Sequence, residues 1–120
     1  MPAGAGTTVA KVTTLRKQRD FKRLYAQGRR FRSPLLTLVV LQQPPGGGVR
    51  VAFVVSNKVG KAVTRNKLRR RLREAFRRLL PRIGCEADIA IIARQKAACA
   101  TYQELADTLS DLLAGAGLVH

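Results

Sequence analysis

The chain has 120 residues, with 23 Lys and Arg against seven Asp and Glu and a formal charge of +16. That is the length of a single domain and the charge of a polyanion binder. Aromatic residues make up 5% and Trp is absent, so the core must be packed from Leu, Val, Ile and Ala. The totals argue against a disulfide or zinc scaffold, since Cys85 and Cys99 form no CxxC pair and the only His is His120.

The charge is also unevenly placed. Residues 1–82 hold 21 of the cations and only two acids, Asp20 and Glu74. Residues 83–120 hold Arg94 and Lys96 against five acids. Such a split predicts one basic side that meets a polyanion. Most of the cations are Arg, which favours phosphate and stacked-base contacts over plain charge. No stretch has the length of a spanning helix, so a membrane partner is not expected.

Residues 1–14 are small, polar and rich in Gly, Ala and Thr, which predicts a flexible tail. One domain is expected over 15–115, with a second short tail over 116–120. The N-terminus shows no apolar signal run, so the expected compartment is the cytoplasm.

Phe21, Leu24 and Tyr25 are spaced by three and four, which predicts a short helix over 18–27 with Gly28 as its stop. Ser33-Pro34 breaks that pattern. Leu35–Leu41 reads as a strand, and the segment PPGGG at 44–48 reads as a loop. Val49–Ser56 then alternates, with Val49, Val51, Phe53 and Val55 on one face and Arg50, Ala52, Val54 and Ser56 on the other. The two runs around a Pro/Gly loop predict an antiparallel hairpin. A further short strand over Arg29–Arg32 is the open alternative.

From Ala62 to Leu80 the pattern is helical, with Pro81 at its end. Leu68, Leu72, Ala75, Phe76 and Leu79 form one stripe, while Asn66, Arg70, Glu74 and Arg77 lie roughly opposite. Residues 61–82 hold ten Lys or Arg and one acid. A solvated charged helix is the bland reading of such a segment. Charge this dense repels itself without a counter-ion, which favours nucleic acid. Neutralising about 6–8 phosphates predicts a log–log salt slope of roughly −5 to −7.

Ala87–Ala93 is a short apolar run and reads as a strand. Thr101-Tyr-Gln-Glu104 is a capping box. It opens a helix with Tyr102, Leu105, Ala106, Leu109, Leu112 and Leu113 on one face and Gly115 as its expected stop. The order α-β-β(-β)-α-β-α predicts an α/β (α+β) two-layer sandwich with helices over one mixed sheet.

Catalytic chemistry is hard to assemble from this inventory. Metal-assisted phosphodiester cleavage needs clustered carboxylates, and the basic part of the chain has two, far apart. No Ser-His or Cys-His pairing is available, and no Gly-rich phosphate loop precedes a helix. No metal ligands and no catalytic residues are therefore expected. Phe21 and Tyr25 have two readings: core packing, or a platform on which unpaired bases stack. Lys22, Arg23, Arg29, Arg30 and Arg32 surround them in sequence.

The segments RDFKRLYAQG, FVVSNKVGKAVTRNKLRRRLREAFR and ADIAIIAR together closely resemble the bacterial ribonuclease P protein component, over about Leu15 to Leu113. The resemblance implies the small protein subunit of a ribonucleoprotein that removes the 5′ leader from precursor tRNA. It further implies that the RNA subunit carries the active site. Mg²⁺ is then required by the RNA–protein holoenzyme, and no cofactor is bound by the protein itself. The expected partners are the ribonuclease P RNA, at 1:1, and the precursor tRNA 5′ leader. The resemblance also implies a left-handed β-α-β crossover, against the usual preference.

Residue by residue, the family's Arg-Asn-Arg signature falls on Arg65, Asn66 and Lys67. Lys at the third place keeps charge but loses the bidentate fork. Lys61, Arg69, Arg70 and Arg73 complete the basic helix face. The leader cleft falls on Phe21, Tyr25, Arg32, Ser56 and Lys58, and Asn57 stands where many relatives have Lys. The alternative to this reading is a basic structural or assembly protein of another ribonucleoprotein such as the ribosome. A sequence-specific DNA module fits less well, since no dimerisation seam is visible.

Overall fold

A computed structural model describes residues 12–44 and 48–119. Strand β1 (Val12–Thr14) leads into helix α1 (Gln18–Gln27), followed by β2 (Arg29–Arg32), β3 (Leu36–Gln42) and β4 (Val49–Val54). A 3-10 turn over Asn57–Val59 precedes α2 (Ala62–Leu79). A second over Leu80–Arg82 follows it, as Pro81 requires. Then come β5 (Ala87–Ala93), a 3-10 turn over Gln95–Cys99 and α3 (Tyr102–Gly115).

The five strands form one mixed sheet in the order β1-β4-β5-β3-β2. β1 and β5 flank β4 in parallel, while β3 runs antiparallel to both β5 and β2. The expected hairpin between the two runs around the Pro/Gly loop is not formed, because β5 lies between them. The physical reason is burial. All but one residue of β5 is buried, so the most apolar run takes the centre of the sheet. The loop after β3 is too long to impose a register, and its residues 45–47 lie outside the described residues.

The tight hairpin is instead β2–β3, turning at Ser33-Pro34. Ser33 donates its N–H to the Leu36 carbonyl at 2.8 Å, and its Oγ accepts the Leu36 N–H at 3.0 Å. The parallel neighbours β4 and β5 are joined through α2, a β-α-β crossover connection.

Period-two alternation splits the core between the two faces of the sheet. On one face Leu38, Val51, Ile89 and Ile91 pack with Leu68, Leu72 and Phe76 of α2 and Leu105, Leu109 and Leu113 of α3. On the other, Val39, Ala52 and Ala90 pack with Leu15 and with Leu24 of α1. The helices α2 and α3 therefore form the main layer over the sheet, and among the described residues α1 is the helix that covers the opposite face.

Both expected tails need correction. Of residues 1–14, those up to 11 lie outside the described residues, but Val12–Thr14 pair with Val49–Val51 of β4. At the other end, Leu118 and Val119 are buried, and Val119 bridges to Ile83. α3 ends at Gly115 as expected, and Gly117 closes the turn that follows it. Gly117 has a φ of +79°, donates its N–H to the Ala114 carbonyl and lets Leu118 bond back to the Leu113 carbonyl. This is a Schellman closure, which needs a left-handed residue and a following apolar one. The expected capping box is present: Thr101 Oγ1 accepts the Glu104 N–H at 3.1 Å, and Glu104 accepts the Thr101 N–H at 2.8 Å.

Candidate functional site

α1 is held to the sheet by two buried residues, Asp20 and Leu24. Phe21 and Tyr25, each next in sequence to one of these, are half-buried, with ring centroids 6.0 Å apart and planes tilted by 37°. Gly28 ends the helix without a left-handed turn; a Cβ there would collide with the Leu24 carbonyl. The chain then turns directly into β2, which brings the Arg30 guanidinium over the Tyr25 ring at 5.6 Å. Burial raises the Tyr25 pKa above 10.0, only partly offset by the positive charge of Arg30, so its hydroxyl stays protonated at neutral pH.

Beside Phe21 lies a cleft of about 420 Å³. Its floor is Ala52 and Val54 of β4, its near wall is Thr14 and Leu15, and its far side is Phe53, Arg69 and Arg73. The cleft can open here because β1 covers β4 only as far as Val51, leaving the edge beyond it uncovered. An aromatic ring, an apolar floor and two guanidiniums are the elements from which single-stranded nucleic acid sites are built. The Arg73 guanidinium also stacks over the Phe53 ring at 5.7 Å.

The expected cleft residues do not all meet. Tyr25 packs against Phe21 but does not line the 420 Å³ cleft. Ser56 and Lys58 line a separate depression of about 430 Å³ at the end of β4 and β5, together with Pro34, Arg94 and Lys96. Arg32 ends β2, exposed, next to the Ser33-Pro34 turn. Sequence reading missed Arg94 and Lys96 as companions of Lys58. The signal was their place just after the apolar β5 run, at the same end of the sheet as Ser56.

The basic helix sorts into cations with structural partners and cations without. Arg71 donates to the Ala100 carbonyl at 3.2 Å, and Arg77 and Arg78 both bind Glu74, whose pKa they lower. Arg65 donates to the Gly60 carbonyl at 3.1 Å and Arg69 to Asn66 Oδ1 at 2.8 Å, which orders the Arg65-Asn66-Lys67 start. Among the described residues, Lys61, Lys67 and Arg70 are exposed and make no ion pair.

On the α1 face, Arg50 binds both oxygens of Asp88, at 2.8 and 2.7 Å, and Asp20 at 3.0 Å. Arg50 is held firmly protonated by Asp88 first and Asp20 second. The carboxylates of this face are thus taken up by guanidiniums. Among the described residues, no group of three or more His, Cys, Asp or Glu could hold a metal ion.

Known proteins share this sequence and fold. The family model described as Ribonuclease P matches residues 9–117. A ribonuclease P protein component from Pseudanabaena is 40% identical over 107 residues, covering 88% of this chain and 92% of its own. One from Thermus scotoductus is 44% identical over 120 residues, covering 99% of this chain and 67% of its own. The Staphylococcus aureus RNase P protein superposes with a TM-score of 0.81 at 30% identity, over 89% of this chain and 97% of that one. The Thermotoga maritima RNase P protein gives 0.75 at 31% identity, over 83% and 94%. With the family model spanning nearly the whole chain and the same fold in solved members, this chain belongs to the ribonuclease P protein component family.

Proposed function

We propose that this chain is the RNA-binding subunit of ribonuclease P, a partner of the catalytic RNA in removing the 5′ leader from precursor tRNA. The carrying observation is the shared cleft: Phe21 of α1 and Arg69 and Arg73 of α2 meet over an apolar floor. Such a cleft suits a flexible single strand, with a ring for a base and guanidiniums for phosphates. The reading places the leader there. The exposed cations Lys61, Lys67 and Arg70 on α2, with Arg65 and Asn66, dock the catalytic RNA. Ser56, Lys58 and Arg32 continue the basic rim at the end of the sheet.

The reading assigns bond cleavage and Mg²⁺ to the RNA subunit. It is supported by the residues present: Asp20 and Asp88 are each bound to Arg50, and Glu74 to Arg77 and Arg78. None of these carboxylates is placed to carry an attacking water or a metal. The protein acts in the cytoplasm as one copy per RNA.

Reconstitution tests this. Protein stripped of RNA should leave precursor tRNA intact, and cleavage at the mature 5′ end should appear when a bacterial ribonuclease P RNA and low Mg²⁺ are added. Cleavage by RNA-free protein would overturn the assignment of chemistry. No gain over the RNA alone at low Mg²⁺ would overturn the subunit reading.

A further inference from the structure

We propose that the Asp20–Arg50–Asp88 cluster is a positioning device that fixes where α1 presents Phe21 to the cleft, and that Asp20 is its specificity-determining member. The proposal rests on the leader reading above for its functional consequence, and on geometry for its mechanism.

Asp88 is fully buried on β5, in the middle of the sheet. Its Oδ1 accepts Arg50 Nε at 2.8 Å, and its Oδ2 accepts Arg50 Nη2 at 2.7 Å and Gln43 Nε2 at 2.9 Å. Arg50 is therefore immobilised by a bidentate grip, and its remaining nitrogen, Nη1, points at α1. There it donates to Asp20 Oδ2 at 3.0 Å. Arg23, one turn along α1, closes the cluster at 3.4 Å from Asp20 and 3.9 Å from Asp88.

The buried residues of α1 are Asp20 and Leu24. Leu24 is a non-directional apolar contact, which permits the helix to slide and roll. The ion pair is directional, because a guanidinium fixed by one carboxylate accepts the second only along its free N–H. Two attachment points, one of them directional, set both the axis and the roll of a ten-residue helix. Phe21 and Tyr25 are each the next residue after an anchor, so any roll about Leu24 swings both rings relative to Ala52 and Val54 on the cleft floor.

A packed apolar pair would hold the helix about as strongly, since desolvation offsets much of the gain from a buried ion pair. What the ions add is a single registration of α1 over the sheet.

The test is a double-mutant cycle in the reconstituted holoenzyme with Asp20→Asn, Phe21→Ala and both together. Asp20→Asn leaves the Arg50–Asp88 pair intact, so the fold is kept. It should weaken binding of leader-bearing precursor by about fivefold and leave mature tRNA unchanged, with most of that loss absent when Phe21 is already Ala. Its effect on Tm should be the same in both backgrounds, which separates positioning from stability. Equal loss for both substrates, or an undiminished loss without the Phe21 ring, would overturn the proposal. If Phe21→Ala alone changes nothing, the leader reading fails and the geometric claim is judged on the free protein. There, Asp20→Asn should weaken the contacts of the Phe21 ring with Ala52 and Val54 of β4 seen by NMR; unchanged contacts would overturn it.

Discussion

Phe21 and Arg73 line one cleft although their helices lie on opposite faces of the sheet. The cleft exists because β1 stops pairing at Val51, so that Phe53 and Val54 form an uncovered edge that both helices reach. A ring contributed from one face and a guanidinium from the other can hold a strand that passes over that edge. Replacing Phe21 by Ala should therefore cost about 1–3 kcal/mol in binding of leader-bearing precursor, the range for one stacked base. Mature tRNA should bind as before. Comparative affinity measurement on the two substrates checks this, and an equal loss would mean that the ring serves only the core.

The arginines and lysines of α2 should fall into two groups. Lys61, Lys67 and Arg70, exposed and without ion pairs among the described residues, should each reduce the salt slope of RNA binding by about 1 when changed to Ala. Their effect on Tm should be small. Arg71 should behave in the opposite sense, because its guanidinium is committed to the Ala100 carbonyl at 3.2 Å. Arg71→Ala should lower Tm and leave the salt slope nearly unchanged. Salt titrations paired with thermal melts distinguish the groups.

The two glycines near the end of α3 should respond with opposite signs. Gly117 has a φ of +79° with open space where a Cβ would go, so Ala there meets backbone strain alone and should destabilise by about 1 kcal/mol. Gly115 is helical with open space, so Ala there should stabilise by up to about 1 kcal/mol through helix propensity. Denaturant midpoints of the two variants test the assignment of the left-handed closure to Gly117.

Tyr25 should ionise above pH 10.0, since burial disfavours its phenolate more than Arg30 favours it. The folded state thus holds the phenol proton more tightly than the unfolded state. That contribution to stability is fully present below pH 10.0 and is lost as pH rises through the folded pKa. Spectroscopic titration of phenolate absorbance, with Tyr25→Phe as the control, should show one tyrosine titrating late.

Most of this architecture could be read from residue periodicity. The α2 stripe of Leu68, Leu72, Ala75 and Phe76 is buried as the spacing required, and the Thr101–Glu104 capping box opens α3. These are local signals, decided within one or two turns. What could not be read depends on partners far away in sequence. β1 is three residues long and exists only through its pairing with β4. The β3–β4 hairpin fails because β5, beginning 38 residues after β4 begins, fills the gap between them.

The same holds for the site. Phe21, Arg69 and Arg73 were each singled out on their own helices, and only the fold shows them in one cleft. Asp88 is an acid inside an apolar strand and was not singled out, while Arg50 was placed on one face of the preceding strand without a partner. Their pairing, which orients α1, follows from the β4–β5 register that sets Arg50 opposite Asp88.

The central claim is that the Phe21 cleft holds the 5′ leader while α2 docks the catalytic RNA. It is tested most directly by placing a photoreactive phenylalanine analogue at position 21 in the reconstituted holoenzyme and mapping its crosslinks. The account predicts crosslinks to leader nucleotides of precursor tRNA, lost with mature tRNA. Crosslinks confined to the catalytic RNA or to the tRNA body would contradict it.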